Sequence, residues 1–339
     1  MSNKNMKVLV TGGAGYIGSH AAKGLSKAGF EPVVVDNLSR GHREAVRWGP
    51  FVQADVGDQA ALRQVLREYS IDAVMHFAAF AYVGESMQAP GRYFQNNVVS
   101  TLNLLEAMRE EQVRKIVFSS TCATYGHPQQ IPISEDHVQR PANPYGESKL
   151  MVERLLHWYS SIHGFAAVAL RYFNAAGADP EGKLGECHDP ETHLIPVALS
   201  AALGSRGALD IYGTDYDTPD GTAIRDYLHV SDLADAHVAA LRYLNAGGPS
   251  DAFNLGTGVG YSVREVVAMV EQVAHRKVPV RECPRRSGDP ASLVAEASKA
   301  AQVLSWRPQC SSLEQIVRTA WEWSLNHEKP AAVSSGNQG

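Results

Sequence analysis

Two side chains with complementary proton chemistry, Tyr145 and Lys149, stand four residues apart in the stretch Asn143-Pro144-Tyr145-Gly146-Glu147-Ser148-Lys149. Asn143 is a favourable N-cap and Pro144 suits the first helical position, so the spacing predicts a helix that starts here. Residues i and i+4 share a helix face, which lets the phenol and the ammonium converge on one point. A nearby ammonium favours phenolate over phenol and lowers a tyrosine pKa from its usual value of about 10. Tyr145 is thereby a candidate general base near neutral pH, with Lys149 as the group that tunes it. The same spacing also fits an exposed Tyr and Lys on an ordinary helix, so the elements around the pair must decide.

The first of these elements is a glycine loop. Val8-Leu9-Val10-Thr11 runs into Gly12-Gly13-Ala14-Gly15-Tyr16-Ile17-Gly18, and a helical pattern continues through Leu25. Gly12, Gly15 and Gly18 form a G-x-x-G-x-x-G at a strand-to-helix junction. Glycine there permits the tight turn and lets backbone approach a pyrophosphate at the helix N-terminus. The next strand ends in Asp36, whose carboxylate can accept both ribose hydroxyls and would repel a 2′-phosphate, so NAD is expected rather than NADP. Arg40 and Arg43 follow closely and work against that choice, since an arginine can serve a 2′-phosphate. Asp55 and Val56, after a further short strand, could hold the adenine. A purely structural glycine turn is the plain alternative, and the order strand, loop, helix, strand, acid counts against it.

The chain has 339 residues, 44% of them hydrophobic, enough for one large core or two modest ones. Its first half alternates short apolar runs with helical patterns. Strands are expected at 7–11, 32–36, 73–77, 115–119 and 166–172, and helices at 16–28, 58–69, 97–110 and 144–163. That alternation predicts an α/β fold, a Rossmann-type doubly wound parallel sheet. The period then breaks down, and the stretch from Ala175 to about Arg225 is rich in Gly, Pro, Asp and Glu, which suggests a smaller, loop-rich α/β substrate region. The expected boundaries are a dinucleotide unit at 1–175 with return segments around 226–256, a substrate unit at 176–327, and a fraying tail at 328–339. Ser262-Val263-Arg264-Glu265 and Ser311-Ser312-Leu313-Glu314 both fit a capping box, and Val266, Val267, Val270 and Val273 form a core face. A net charge of −5 argues against a nucleic-acid partner. No apolar run approaches the roughly 18 residues of a membrane span. Cys122, Cys187, Cys283 and Cys310 show no zinc-type spacing or disulfide framework, and no room precedes the first strand for a signal peptide, so a soluble cytoplasmic protein is expected.

From Lys7 to about Trp323 the chain resembles the extended short-chain dehydrogenase/reductases, and among them the UDP-sugar 4-epimerases. The resemblance is carried by Thr11–His20, Asp36-Asn37-Leu38-Ser39, His76-Phe77-Ala78-Ala79, Ser119-Ser120-Thr121, Asn143–Lys149, Arg171-Tyr172-Phe173-Asn174, Ile224-Arg225-Asp226-Tyr227 and Arg285-Arg286-Ser287-Gly288-Asp289. It implies a bound NAD that is reduced and reoxidised within each turnover, and interconversion of UDP-glucose and UDP-galactose through a transient 4-keto intermediate. It further implies that Tyr145 takes the proton of the sugar 4-hydroxyl, that Lys149 lowers its pKa and holds the nicotinamide ribose, and that Thr121 bonds the same hydroxyl. The implied cofactor contacts are Gly12, Gly15, Tyr16, Ile17, Gly18, Asp36, Asn37, Leu38, Ser39, Asp55, Val56, Phe77, Ala78, Ala79, Asn97, Ser119 and Phe173, besides Tyr145 and Lys149. The implied UDP-sugar contacts are Thr121, Asn174, His193, Leu194, Tyr212, Arg225, Arg286 and Asp289. The resemblance also implies a homodimer formed through the helices at 97–110 and 144–163.

Some residues depart from the family pattern. Ala81 stands where many members carry a lysine near the cofactor, and His193 replaces a more usual asparagine. Leu293 falls at a pocket-wall position whose bulk is thought to decide whether N-acetylated sugars fit, and a branched apolar side chain favours small sugars. Ala81-Tyr82-Val83-Gly84-Glu85-Ser86 is also similar to UDP-pentose 4-epimerases, which keeps UDP-xylose/UDP-arabinose open as the substrate pair. A nucleotide-sugar dehydratase would place Asp and Glu where Cys122 and Ala123 follow Thr121. A non-catalytic NAD-binding module would commonly have lost Tyr145 or Lys149, and a net reductase would consume nicotinamide. Cys187, His188 and His193 lie close together but match no standard finger, so they are taken as loop residues and no metal is expected. His76 is expected to be a satisfied core histidine and Cys122 a packing residue.

Overall fold

Strands that are apolar on both faces need helices on both sides, and the first half of the chain folds accordingly. The computed structural model describes residues 5–286 and 288–327; the expected tail at 328–339 lies outside them. Strands β1 (Lys7–Thr11), β2 (Glu31–Asp36), β3 (Phe51–Gln53), β4 (Ala73–His76), β5 (Lys115–Ser119) and β6 (Ala166–Tyr172) pair in parallel. The strand Asp251–Leu255 adds to the far side of β6, and the order across the sheet is Asp251–Leu255, β6, β5, β4, β1, β2, β3. The chain winds outward in both directions from between β1 and β4. In such sheets ligands bind at the carboxyl edge of that switch point.

Period-two alternation divides the core. Leu9, Val33, Val35, Val74, Ile116 and Phe118 face Leu62, Leu66, Leu104, Met108, Val152 and Leu156 of helices Gln59–Glu68, Ser100–Glu110 and Pro144–His163. Val8, Val10, Met75, Val117 and Val168 face Leu25, Leu233 and Leu241 of helices Tyr16–Lys27 and Val230–Asn245. Every expected strand falls within one residue of its observed limits, as do three of the four expected helices.

The fourth differs. The chain expected to turn helical at Asn97 is already helical at Pro90–Tyr93, then widens into a π-turn at Phe94–Val99 before Ser100–Glu110. The wide turn brings Asn97 inward, where its side chain meets the backbone of Phe80.

The second half packs around a separate core. Strands Gly260–Ser262, Ile224–His229, Ser292–Leu293 and Asn174–Ala176 form one small mixed sheet, and Leu209–Tyr212 pairs with Val280–Cys283. The stretch 175–225, expected to be loop, holds the helix Leu194–Leu203. Its sequence, LIPVALSAAL, is apolar nearly all round because it lies between helices Val263–Ala274 and Leu313–His327, so it shows no amphipathic period. The capping box at Ser262 and Glu265 forms as expected. The one at Ser311 does not, because Ser311 Oγ accepts from His229 N and donates to Asp232. Ser312 caps the last helix instead, accepting from Gln315 N at 3.3 Å.

Candidate active site

The helix Pro144–His163 starts where the sequence indicates. Asn143 Oδ1 accepts from Gly146 N at 2.8 Å, and Pro144 occupies the first turn. A Cβ on Gly146 would stand 2.5 Å from Ala123 O, so glycine lets the helix press against the turn that follows Thr121. That contact brings Tyr145 beside Thr121, whose hydroxyl oxygen accepts from Ala123 N at 3.1 Å. Tyr145, Lys149 and Thr121 are 8%, 3% and 6% exposed, and all three lie at the carboxyl end of β5.

The electrostatics differ from the expectation that Lys149 lowers the Tyr145 pKa. Burial raises the phenol well above its usual value, with Tyr172 adding to the rise and the Thr121 hydroxyl opposing it. Lys149 does not point its ammonium at the phenol. Its Nζ donates to Ser119 O at 2.8 Å and sits 4.9 Å over the Phe118 ring. Burial lowers the Lys149 pKa to about 7, opposed by the Glu153 carboxylate one turn along the helix. In this state Tyr145 is a neutral phenol and Lys149 a proton-exchanging amine.

A buried polar network behind the pair went unread in the sequence. Glu153 accepts from Ser120 Oγ at 2.5 Å and from the Arg171 guanidinium at 2.6 Å. Arg171 also donates to Tyr125 Oη at 2.9 Å, and Tyr125 donates to Asn254 Oδ1 at 2.7 Å. Ser119 Oγ meets Tyr172 Oη at 2.6 Å. The network fixes the ends of β5 and β6 against helix Pro144–His163. The Arg171–Tyr172 motif carried the only signal of it.

The glycine loop has the features a dinucleotide needs. Gly12 has φ +71°, and a Cβ there would stand 2.5 Å from Ala78 N; one on Gly18 would stand 2.3 Å from Gly12 O. Helix Tyr16–Lys27 begins at Gly15 with no side chain capping it, which leaves its first N–H groups open to a phosphate. Asp36 accepts from Ala14 N at 3.0 Å and Leu38 N at 2.8 Å, and burial raises its pKa. Asn37 Nδ2 donates to Asp55 at 2.7 Å, and Ser39 N to Asn37 Oδ1. Val56 is buried beside them. Arg40 is engaged by Glu85 and by Asp189 O, and Arg43 lies over Phe51 at 4.6 Å, so both are otherwise occupied.

Phe77 and Ala78 hang their N–H groups on Thr11 O, with Ala79 next in the same loop. Two further implied cofactor contacts also have structural partners within the protein. Asn97 spends its amide on Phe80 N and O and on Ser148 Oγ, so it positions the loop after β4. Phe173 is buried in a cluster with Cys122, Tyr125 and Ile133, against which Leu293 packs. Cys122 is a packing residue whose thiol burial pushes up to about 12. His76 is satisfied on both ring nitrogens, by Thr11 at 2.7 Å and Thr101 at 2.8 Å.

The implied UDP contacts come from the second half. Arg225, on the central strand of the small sheet, pairs with Asp289. The Arg286 guanidinium lies 3.9 Å over the Tyr212 ring. Asn174 starts the adjoining strand, opposite Tyr227. Leu194 opens helix Leu194–Leu203. His193 directs Nδ1 to Glu186 at 2.8 Å and Glu191 at 2.9 Å, so that nitrogen is not free for a sugar.

Residues 8–256 match the NAD dependent epimerase/dehydratase family. The chain belongs to that family. A UDP-glucose 4-epimerase of Lacticaseibacillus casei is 51% identical, with 95% of this chain and 98% of that protein aligned. The crystal structure of UDP-glucose 4-epimerase from Brucella ovis in complex with NAD superimposes with a TM-score of 0.92 at 53% identity, covering 94% of this chain and 98% of that one. The epimerase of Bifidobacterium longum in complex with NAD+ and UDP gives 0.90 at 38% identity, covering 95% and 99%. Among the described residues no helix is long and apolar enough to cross a membrane.

Proposed function

We propose that the protein is an NAD-dependent isomerase that interconverts UDP-glucose and UDP-galactose at C4. The observation that carries this reading is the meeting of Tyr145 and Thr121 at the switch-point edge of a sheet that also bears the glycine loop, with full-length relatives of that activity at about half identity. When bound, NAD supplies a hydride acceptor that can return the hydride to the same carbon. Tyr145, after giving up its own proton to become a phenolate, would take the proton of the 4-hydroxyl as C4 is oxidised and give it back as C4 is reduced. The Thr121 hydroxyl donates and accepts on that path. Lys149, with a pKa near 7, supplies positive charge that stabilises the phenolate once a ligand redirects its Nζ. Arg225 and Arg286 hold the diphosphate and Tyr212 the uracil, while the sugar is held loosely enough to present either face. Leu293, backed by Cys122, Tyr125 and Phe173, makes a firm wall that favours sugars without an N-acetyl group.

In this reading the unit 1–175 with its return segments takes the cofactor and 176–327 the UDP-sugar. Met151, Trp158 and Ile162 form an exposed stripe on helix Pro144–His163, with Val99 and Leu102 exposed nearby. Such a stripe suits burial against a second copy, so the active species is a homodimer. Sedimentation of Trp158→Asp as a monomer, beside a wild-type dimer, tests this; a monomeric wild type at micromolar concentration contradicts it. The four free cysteines suit the reducing cytoplasm.

Incubation of the purified protein with UDP-glucose, and separately with UDP-xylose, tests the function. Formation of the C4 epimer at constant total nicotinamide is expected, faster for UDP-glucose. A faster reaction of UDP-xylose would move the substrate to the pentose pair. A 4-keto-6-deoxy product, net reduction, or no conversion by NAD-saturated protein would overturn the proposal.

A further inference from the structure

The loop ahead of helix Leu194–Leu203 carries a cluster that the epimerase chemistry does not use. Glu186, His188, Glu191 and His193 each offer one oxygen or nitrogen, and these atoms lie within 4.8 Å of one another. His193 Nδ1 stands 2.8 Å from Glu186 Oε1 and 2.9 Å from Glu191 Oε1. His188 Nδ1 stands 3.1 Å from Glu186 Oε1 and 3.5 Å from Glu191 Oε2. A tetrahedral zinc ion with bonds of about 2.0–2.2 Å to nitrogen and oxygen holds its ligands about 3.3–3.5 Å apart. The observed separations run from 2.8 to 3.5 Å, so the four groups would have to spread by a few tenths of an ångström to take the ion.

The orientation of His188 is the second observation. Its Nδ1 is buried and makes no hydrogen bond, although a carboxylate oxygen is 3.1 Å away. A nitrogen aligned for an N–H bond to Glu186 would make one, whereas a lone pair aimed into the space between both carboxylates would not. Against the opposing effect of burial, the two carboxylates hold protons on both imidazoles, raising His188 to about 9 and His193 to about 10. A divalent cation would displace those protons, and the carboxylates would then balance its charge.

We propose that Glu186, His188, Glu191 and His193 form a zinc site. Four protein ligands fill a tetrahedral shell and leave no position for substrate, so the site is structural. Its ligands span one short loop that touches several parts of the chain. His42 Nε2 meets Cys187 O at 2.8 Å, Arg40 donates to Asp189 O at 2.9 Å, and Trp323 Nε1 to Glu186 O at 3.1 Å. The edges of Tyr16 and His188 also meet, with ring centroids 6.2 Å apart. The ion would therefore fix the segment where the cofactor loop, the substrate helix and the last helix come together.

The test is metal titration of the chelator-stripped, full-length protein. Zn²⁺ should bind at one equivalent per chain, and Co²⁺ should give the intense visible bands of a tetrahedral site. His188→Ala and Glu191→Gln should each weaken Zn²⁺ binding by at least about 100-fold, since even indirect partners of metal ligands are worth about 10- to 100-fold. Bound NAD and far-UV circular dichroism should be retained, and either folded variant suffices for the comparison. Failure of the folded wild type to bind stoichiometrically, or unchanged affinity and Co²⁺ spectrum in a folded variant, would overturn the proposal.

Discussion

The groups around Tyr145 and the two arginines assigned to the diphosphate, in the proposed cofactor half and substrate half, are held in opposite ways. Around Tyr145 and Lys149 the polar atoms are buried and tied to fixed partners, as in the chain from Ser120 through Glu153, Arg171 and Tyr125 to Asn254. The substrate half carries its arginines on short strands and loops, in pairs that a ligand can replace, Arg225 with Asp289 and Arg286 over Tyr212. The Arg171–Glu153 pair is buried on both sides, so it stabilises a single geometry and is costly to break. Asp289 is part-exposed and Arg286 faces a ring, so a ligand can displace these partners. The contrast fits an enzyme that keeps its cofactor and proton-transfer groups in place while a sugar turns over beside them.

Substitutions can break this contrast, and the largest effect is expected at the phenol. Tyr145→Phe should lower kcat by about 10²- to 10⁴-fold, the usual range for loss of a positioned acid–base group, with the thermal midpoint maintained. Steady-state assays beside a melting curve check it; retention of more than a tenth of the activity would remove Tyr145 from the chemistry.

Next comes the buried pair. Arg171→Met leaves the Glu153 carboxylate without its guanidinium and should cost about 3–5 kcal/mol of stability in denaturant unfolding. The substrate half should respond through binding instead. Arg225→Ala should raise KM by roughly 10- to 100-fold, from about 1.5–3 kcal/mol of lost charged hydrogen bonding, with little change in kcat or folding stability. A large loss of stability there would erase the distinction between the halves.

The smallest effect is a pH dependence. Thr101 Oγ1 donates to Asn97 O, so it accepts from His76 Nε2–H and leaves Nδ1 to accept from Thr11. Burial lowers the His76 pKa to about 3. Below about pH 6.5 the unfolded chain takes up a proton at this position that the folded chain does not. Its contribution to stability is therefore intact above that pH and is lost as pH falls toward 3, by about 1.4 kcal/mol per unit. Unfolding at pH 6.5 and 5.5, with His76→Gln as the reference that lacks this slope, measures it.

What was legible in the sequence was local. The glycine loop, Asp36, the Asn143–Lys149 helix start and the strand limits follow from spacings of a few residues, which backbone geometry converts directly into position. Long-range partnerships left no such trace. Glu153 and Arg171 are 18 positions apart, and Tyr125 and Asn254 are 129 apart, so only the fold joins them. The helix Leu194–Leu203 was hidden by its own burial on all sides. The Tyr145–Lys149 spacing correctly placed both groups on one face, yet the chain gave no sign that Lys149 would turn to Ser119 O. The spacing of Cys187, His188 and His193 points to a thiolate, whereas the groups that gather around the two imidazoles are the carboxylates of Glu186 and Glu191.

The central claim is that hydrogen leaves and returns to one carbon within one closed site. Incubation with UDP-glucose carrying deuterium at C4, in ordinary water and with excess unlabelled NADH present, tests it most directly. The account predicts UDP-galactose with the deuterium retained at C4 and none in the added nicotinamide. Label lost to solvent or to the free cofactor pool would contradict it.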